Sequence, residues 1–477
     1  MSLRPRAVSP KVSVCVVFVV SMFMTIMDST VVNVALPTLA RQFHVSTAGI
    51  AAVVIGYLVS LAVLIPASGW IGDRWGTRRS FLAALVIFTA ASALCGVSQN
   101  LVELVLFRVL QGVGGGMMTP IGVAMLFRVF PPYERIQASR ILTVPVVLAP
   151  ATGPLIGGLL IDNLSWRWIF YVNVPIGVLA LLFGLLFLQS YREPTPGRFD
   201  LPGFVLAGFG LALALFALSE GPLIGWTRPA VICSGLAGTA MIVALIVVEL
   251  RQPTPMLDLR MLQNRLFRSS SGVALFGAGA FLGTLFVLPL LLQDGRGFSA
   301  LDSGTTTFTE AIGVMVGAQL CARIYARVGP RRLICCGLAA EAAAILLIAG
   351  LGADGSLWLD RALMFMVGAA NAQVFQPAQT TAFSTGAGAS TGRTSALFNS
   401  MRQLGAALGV ALLSTMLATV GSRASGSGQS HLIGYEAALV TAAAMALIGL
   451  AVGLTIRDRD AASTMRPARS VEPEAAA

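Results

Sequence analysis

Charged residues are scarce in this sequence. Asp, Glu, Lys and Arg make up 11% of its 477 residues, whereas hydrophobic residues make up 56% and the mean hydropathy is +0.82. Soluble globular domains carry roughly 25% charged residues. The composition therefore excludes an ordinary soluble protein and predicts a chain that crosses a membrane many times.

Histidine and paired cysteine are also lacking. His44 and His431 are the only histidines and lie alone between apolar runs, so neither a metal site nor a His-based catalytic group has support. The six cysteines lie in or beside apolar runs without metal-ligand spacing, and we expect free thiols. We expect no enzyme activity, no metal and no cofactor.

The formal net charge of +11 raises the question of nucleic acid. The arginines fall in short clusters between apolar runs rather than along one face or tail, which is typical of membrane topology and not of nucleic-acid binding. We therefore expect the protein to lie in a lipid bilayer, with its arginines in the loops, and we do not expect it to bind nucleic acid.

Runs of about 20 apolar residues predict an all-α membrane protein with fourteen transmembrane helices. The predicted spans are 12–36, 47–70, 81–99, 102–127, 139–161, 169–189, 201–219, 230–250, 269–292, 303–326, 333–352, 360–383, 395–420 and 433–456. In this frame 24 basic residues fall in cytoplasmic segments and 6 in outer loops, with Arg108 and Arg402 inside helices. The positive-inside rule then places both termini in the cytoplasm.

An internal repeat divides the chain. The loop Gly72–Arg79 aligns with Tyr325–Arg332, so that Arg74, Gly76, Arg78 and Arg79 match Arg327, Gly329, Arg331 and Arg332. Each loop follows the second helix of a six-helix block, which indicates two parallel repeats. We predict a cytoplasmic tail at 1–11, six-helix bundles at 12–189 and 269–456, an inserted helix pair with its flanking segments at 190–268, and a disordered cytoplasmic tail at 457–477.

Asp28 lies within an otherwise apolar run from Val12 to Leu36. A charge at the centre of a membrane helix costs about 2.5–3.5 kcal/mol on insertion scales, so this carboxylate needs a partner, water or a proton. Arg108 lies at the same depth in the fourth helix, roughly 10–13 Å below the outer surface at 1.5 Å per residue. We expect Asp28 and Arg108 to pair and to couple transport to protons.

Other polar residues extend this predicted site. Asn33 and Gln111 are assigned to proton coupling or substrate binding, and Glu310, about two turns into its helix, is the next candidate for the coupling acid. Two alternatives remain open. Asp28 can instead be a structural residue that bends its helix, and the ion pair with Arg108 can serve packing alone.

Small residues at four-residue spacing predict smooth helix faces. Gly153 and Gly157 form one such face beside Pro154 and Gly158. The same spacing recurs at Gly313 and Gly317 and at Gly405 and Gly409. We expect these faces to meet between the bundles, with Gly153 and Gly157 against Gly313 and Gly317, although tight packing within a bundle is the plainer alternative.

The loop Gly72–Arg79 is a candidate gate, together with its counterpart in the second half. Asp73 stands alone among arginines, and Ala326 occupies the equivalent position in the repeat. We expect Asp73 to approach the positive end of the helix that begins near Thr394 and Ser395 when the cytoplasmic side is closed. The alternative is an ordinary solvated acid.

Five stretches together resemble a known family. The loop Gly72–Arg79 is similar to the loop signature of the major facilitator superfamily. The stretches Asp28–Pro37, Arg108–Gly116, Gly153–Gly158 and Trp166–Pro175 resemble the fourteen-helix drug:proton antiporter branch, the third being similar to a motif typical of antiporters. The resemblance covers residues 12 to 456 and lacks only the acid of the second-half loop.

The resemblance implies two six-helix bundles that rock about a central cavity, with proton entry driving the export of apolar, often cationic compounds. We therefore expect a monomeric multidrug exporter of the cytoplasmic (inner) membrane that uses lipophilic small molecules and protons. An exporter of an endogenous lipid or metabolite with the same fold is the alternative. A membrane enzyme would need a nucleophile–base pair or a metal cluster, and a channel would need rings of like charge, and the sequence has neither.

Overall fold

The computed structural model describes residues 9–46, 49–130, 149, 152–189, 199–253, 255–352, 355–384, 391–427 and 432–465. Most of the predicted tail at 1–11, much of the predicted fifth helix and the segment 190–198 lie outside the described residues, as does the end of the chain after Met465.

Fourteen helices, without a strand, make up the described residues. We number them α1 Pro10–Phe43, α2 Ala51–Trp75, α3 Thr77–Val97, α4 Leu101–Val129, α5 residues 152–163, α6 Asn173–Phe187, α7 Leu201–Ile224, α8 Pro229–Arg251, α9 Arg265–Leu290, α10 Ala300–Val328, α11 Pro330–Gly350, α12 Leu357–Ser384, α13 Thr391–Ser427 and α14 Ile433–Gly453. The short helical turns are Trp168–Tyr171, Leu259–Gln263, Leu291–Gly295 and Ala462–Met465. Each of the fourteen overlaps a predicted span.

Twelve spans within the described residues are long and apolar enough to cross a membrane. The other two of the fourteen are α5, described only from residue 152, and α12. The latter is 28 residues long but carries polar side chains such as Asn371, Gln373 and Gln376, which lower its hydropathy. The all-α membrane fold predicted from composition is confirmed.

Local sequence explains where several helices begin. Asn100 accepts a hydrogen bond from the Glu103 backbone N–H at 2.9 Å, and the Glu103 carboxylate accepts one from the Gln99 backbone N–H at 2.9 Å, so both side chains satisfy backbone donors at the start of α4. Glycines separate α2 from α3 and α10 from α11. Gly76 and Gly329, matched in the sequence repeat, have φ angles of 88° and 85°, which residues with a Cβ rarely adopt.

The helices form two groups, which contact each other directly through α2 and α13, and an inserted pair beside them. In the first group α2 and α3 pack on α4, and α1 packs on α4 and α6. In the second group α10 packs on α12, while α9 contacts α13 and α14. The inserted helices α7 and α8 pack on each other, and α7 also contacts both α2 and α13, where Thr415 donates a hydrogen bond to the Leu218 carbonyl at 2.8 Å. The pair therefore lies beside the seam between the bundles.

Polar contacts join the bundles at the end that holds Arg41, which we call the outer end in keeping with the predicted orientation. Arg41 pairs with Asp294 at 2.9 Å, and Gln293 donates to the Val34 carbonyl at 2.9 Å. The Asp162 carboxylate accepts a hydrogen bond from the Leu301 backbone N–H at 2.8 Å. These contacts close the outer end in this conformation.

The predicted contact between the two glycine faces is wrong. A Cβ on Gly157 would lie 2.7 Å from Val31 of α1, and a Cβ on Gly317 would lie 2.5 Å from the Ala369 carbonyl of α12. Both faces therefore serve packing inside their own bundle. The same holds for the remaining glycines of these faces, since Gly153 faces Thr30, Gly313 faces Phe365, Gly405 faces Leu275 and Gly409 faces Gly279.

The bundles instead meet at the neighbouring residues of α5. A Cβ on Gly158 would lie 2.8 Å from the Ala300 carbonyl, and the Pro154 carbonyl stands against Gly304 of α10. One residue changes the helix face by 100°, so Gly158 points to the second bundle while Gly157 points to α1. Of the residues assigned to packing between the bundles, Pro154 and Gly158 therefore do line the seam, whereas Gly153 and Gly157 do not.

The first residues of the predicted disordered tail are structured. Residues 457–465 are described and include the short helix Ala462–Met465. Tyr325 and Thr464 share a hydrogen bond of 2.7 Å, and Ala461 is buried. The start of the tail is held by these contacts against α10.

Candidate functional site

Asp28 and Arg108 form an ion pair in the interior of the first bundle. The Arg108 guanidinium Nη1 lies 2.5 Å from Asp28 Oδ2, and the two side chains are 1% and 0% exposed. Asp28 comes from α1 and Arg108 from α4, as the equal depth in the sequence indicates. The pairing is present, and its part in proton coupling stays a proposal.

The second carboxylate oxygen is also fully engaged. Asp28 Oδ1 accepts hydrogen bonds from Gln111 Nε2 at 2.8 Å and from Asn173 Nδ2 at 3.2 Å. Both amides also donate to the Ser92 hydroxyl, at 3.2 and 3.1 Å, and that hydroxyl donates to the Phe170 carbonyl at 2.9 Å. Four helices, α1, α3, α4 and α6, thus contribute side chains to one network.

Arg108 has further partners that stabilise its charge away from water. Its Nη1 donates to Gln111 Oε1 at 2.8 Å and its Nε donates to the Val53 carbonyl at 3.4 Å. The guanidinium also lies 4.1 Å from the centre of the Tyr57 ring, within the range of a cation–π contact. Gly112 lets α2 approach here, because a Cβ would lie 2.7 Å from the Tyr57 carbonyl.

The network replaces solvent around a buried charge pair. Breaking a buried pair by removing one charge costs about 3–5 kcal/mol, because the remaining charge is left without compensation. A proton on Asp28 would leave Arg108 in that situation in the present arrangement. Proton uptake by Asp28 therefore requires that Arg108 gain water or another anion, which demands a change in helix packing.

Asn33 and Glu310 lie apart from this network. Asn33 follows Asp28 by five residues, which turns its side chain by about 140° around α1. It is buried, and its Oδ1 has no hydrogen-bond partner among the described residues. Glu310 is buried in α10 of the second bundle, and Glu341 is buried in the following helix, α11. Their assigned roles in substrate binding or coupling stay predictions.

The candidate gating loop uses its charged residues in different ways. Asp73 lies 3.4 Å from Arg128 of α4, and Arg78 donates to the Leu185 carbonyl of α6 at 2.5 Å. The approach of Asp73 to the start of α13 stays a prediction for another conformation. In the second half the acid that Ala326 fails to supply comes from the tail, since Asp458 accepts a hydrogen bond from the Arg331 backbone N–H at 3.0 Å.

Sequence reasoning missed Asn173 and Ser92 as partners of Asp28. Asn173 stands as a single amide between the short helical turn Trp168–Tyr171 and the apolar α6, in the last of the five family-like stretches. That isolation was the available signal. Ser92 gave none, because serine is common in membrane helices and its hydroxyl can satisfy itself on the helix backbone.

The described residues hold no group of three or more His, Cys, Asp or Glu side chains that could bind a metal ion. The Asp28 network supplies three side-chain hydrogen-bond donors to one carboxylate, from Arg108, Gln111 and Asn173.

Comparisons with known proteins identify relatives of most of the chain. A family model described as Major Facilitator Superfamily matches residues 18–410. A "Multidrug resistance protein B homolog" of Mycobacterium tuberculosis is 33% identical over 413 residues, covering 84% of this chain and 75% of the relative. A "Putative multidrug resistance protein MdtD" of Cronobacter sakazakii is 32% identical over 431 residues, covering 90% of this chain and 91% of the relative.

A further relative is longer than the matched region. An "Uncharacterized MFS-type transporter YhcA" of Bacillus subtilis is 33% identical over 326 residues, and the match covers 68% of this chain and 61% of that relative. The chain thus spans less than two thirds of that protein.

Solved structures share the fold. A bacterial homolog of the human lysosomal transporter Spinster in an inward-facing conformation has a TM-score of 0.67 at 17% identity, covering 97% of this chain and 100% of that chain. A D-xylose–proton symporter has a TM-score of 0.64 at 14% identity, covering 92% and 97%. These likenesses concern the arrangement of helices alone.

Proposed function

Because the chain belongs to the major facilitator superfamily and is a multi-pass membrane transporter of small molecules, we propose that it is a proton-coupled multidrug efflux antiporter. Its cargo is lipophilic and often cationic, and it works by alternating access. The names of two relatives, which speak of multidrug resistance, support the cargo class.

The buried ion pair of Asp28 with Arg108 is the observation that carries this proposal. An acid inside a membrane bundle is costly and marks a proton or ion pathway more often than a structural contact. Here the carboxylate has three side-chain donors and no exposure in a conformation closed at its outer end. A proton-coupling acid needs such a state, in which it is sealed from one side.

The coupling follows from the cost of an unpaired buried charge. When Asp28 takes a proton, Arg108 loses its counter-ion, and the packing that excludes water from the pair becomes unfavourable. The bundles then move to an arrangement in which Arg108 is hydrated. A cationic substrate favours the ionised carboxylate and a proton opposes it, so their binding competes, which is the requirement of an antiporter.

The proposal also includes an energy source, a cellular membrane and an oligomeric state. The proton gradient supplies the energy, without a bound cofactor. The protein acts as a monomer in the cytoplasmic (inner) membrane with both termini inside, in keeping with the arginine-rich segments on that side.

Transport by inside-out membrane vesicles tests the function. Vesicles that contain the protein should accumulate the fluorescent cation ethidium when respiration acidifies their interior, and a protonophore should release it. Asp28→Asn removes the titrating group but keeps the size of the side chain, and it should abolish this accumulation at an unchanged protein level.

A control variant distinguishes a loss of proton coupling from a general effect of removing an acidic side chain. Asp302→Asn changes an acid of the second bundle that lies outside the Asp28 network and pairs with Arg361 in its own bundle, so it should retain ethidium accumulation driven by the proton gradient. Normal accumulation by Asp28→Asn, with normal dependence on pH, would contradict the coupling role and make Glu310 the next candidate. If no lipophilic cation or neutral drug from a broad panel is accumulated by the wild type, the alternative of an endogenous lipid or metabolite is favoured.

A further inference from the structure

A groove runs along the outside of the first bundle between α2 and α3. Both helices pack closely on α4 but only lightly on each other, so a wedge stays open between them. The wedge has a volume of about 530 Å³, which lies within the roughly 300–1,000 Å³ of ligand sites. Its floor is formed by Val113 and Met117 of α4.

The groove is apolar along its length and cationic at one end. Leu64 and Ile71 of α2 line its apolar part, together with Ala83 and Ile87 of α3. Arg74 and Arg79 line the end near the turn between the two helices. This arrangement places two cations beside a long apolar surface.

The length of the groove corresponds to one leaflet of a bilayer. Arg74 follows Leu64 by ten residues, which is about 15 Å along a helix. The hydrocarbon core of a bilayer is about 30 Å thick, so the groove reaches from the membrane surface to roughly the midplane. Trp75 is 59% exposed at the same end, where the aromatic belt of a membrane protein lies.

The two arginines at the groove have no carboxylate partner within the described residues. Their neighbours in the loop are engaged elsewhere, since Asp73 lies near Arg128 and Arg78 bonds the Leu185 carbonyl. Arg74 and Arg79 are both exposed. Two such cations at the surface of an apolar groove fit one negatively charged headgroup above an acyl chain.

We propose that this groove binds an anionic phospholipid of the cytoplasmic leaflet. One acyl chain lies on the floor formed by Val113 and Met117, and the phosphate lies between Arg74 and Arg79. The site is independent of the Asp28 network and of the transported cargo. In this proposal the turn between α2 and α3 contacts a lipid headgroup instead of the second bundle.

The second half of the chain provides a matched comparison. In the equivalent turn the counterparts of Arg74 and Arg79 are Arg327 and Arg332, but there Asp458 lies beside the loop and accepts a hydrogen bond from the Arg331 backbone N–H. An acid is thus already in place at the second turn. We therefore expect the lipid preference at the first turn alone.

Native mass spectrometry of the full-length protein tests this. Protein is released from nanodiscs that contain equal amounts of phosphatidylglycerol and phosphatidylcholine, and the retained lipids are counted. The wild type should retain one phosphatidylglycerol. Arg74→Gln with Arg79→Gln should reduce that retention about tenfold or more, because two surface cations are removed. Ala83→Phe, which fills the groove without changing charge, should do the same.

Arg327→Gln with Arg332→Gln is the control and should retain the lipid as the wild type does. A second measurement leaves Arg74 and Arg79 unchanged. Brominated phosphatidylglycerol should quench the Trp75 component of the fluorescence, obtained as the difference between wild type and Trp75→Phe, more strongly than brominated phosphatidylcholine. Equal retention of the two lipids, or equal retention by Ala83→Phe and the wild type, would overturn the proposal.

Discussion

Asn173 donates a hydrogen bond of 3.2 Å to Asp28, although the two residues are 145 positions apart in the chain. This bond connects the start of α6 to the centre of α1. It means that the hydrogen bonding of the Asp28 carboxylate depends on the position of a second helix that packs on α1. The network is therefore a property of the bundle and not of one helix.

Asn173→Leu should impair transport more than it impairs folding. The substitution leaves Asp28 Oδ1 with Gln111 as its remaining side-chain donor, and hydrogen bonds to charged groups are worth about 1.5–3 kcal/mol. We expect at least a tenfold loss of ethidium efflux, measured in inside-out vesicles at matched protein levels.

The matched control is Asn163→Leu, which changes an exposed asparagine whose amide bonds the Leu159 carbonyl of its own helix. That variant should keep its efflux. Normal efflux by Asn173→Leu would show that the third donor has no part in coupling.

Gly158→Val should prevent closure of the outer end without unfolding the protein. Its side chain would meet the backbone of Ala300 and Leu301 in the second bundle, which cannot move aside as a flexible side chain can. We expect reduced transport and a longer distance between spin labels at 164 and 358, measured by double electron–electron resonance after replacement of the native cysteines.

Gly157→Leu should behave differently, because Gly157 packs on Val31 inside its own bundle. Inserting a large side chain into a packed interior costs about 1–3 kcal/mol, so this variant should accumulate poorly or melt at lower temperature. If the two variants have the same effect on folding and on the label distance, Gly158 does not lie at the seam.

Asp162→Ala should shift the balance toward an open outer end. Its carboxylate accepts the Leu301 N–H at the start of α10, and caps of this kind are worth about 0.5–2 kcal/mol. A loss of about 1 kcal/mol changes the population ratio roughly fivefold, which the label distances at 164 and 358 would record.

Asp302→Ala is the comparison for that experiment. It removes an acid that belongs to the start of α10 itself, and whose carboxylate accepts a hydrogen bond from the Ser299 hydroxyl and pairs with Arg361 within the second bundle. The distance distribution of Asp302→Ala should therefore match that of the wild type, and a shift of equal size would rule out a special role for Asp162.

Glu249→Leu should destabilise the inserted helix pair, whereas Glu249→Gln should not. Glu249 is fully buried at the end of α8, where it accepts a hydrogen bond from the Leu257 N–H at 3.1 Å. Leucine leaves that N–H unpaired at a cost of about 1–3 kcal/mol, while glutamine keeps an acceptor. Thermal unfolding of the purified protein should give a lower midpoint for the leucine variant alone.

Glutamine also removes a like charge. A Cβ placed on Gly203 would lie 2.5 Å from Asp200 Oδ2 and 2.6 Å from Glu249 Oε1, so the two carboxylates crowd the same point. If Glu249→Gln melts well below the wild type, the negative charge itself is needed there, and the crowding argument fails.

The sequence predicts helices and the depth of charges well, because apolar length and arginine bias are direct consequences of the bilayer. The Asp28–Arg108 pairing followed from equal depth in two helices. The glycine faces show the limit of such reasoning. Spacing identifies Gly157 and Gly317 as contact positions, but a neighbouring residue points 100° away, and only the three-dimensional packing decides which partner each one meets.

The sequence also does not predict hydrogen-bond partners that come from distant segments of the chain. Asp458 replaces the acid missing at Ala326, and Asn173 joins Asp28, because the fold brings these segments together. Neither residue has a local pattern that specifies its partner. Polar contacts across long chain separations therefore need the structure.

Proton release on substrate binding tests the central claim most directly. The purified protein in weakly buffered detergent solution is mixed with tetraphenylphosphonium, and the pH of the solution is followed with an indicator dye. If cation and proton compete at Asp28, the wild type releases protons in a saturable manner and Asp28→Asn releases none while it remains folded. Equal proton release by Asp28→Asn and the wild type would contradict the account.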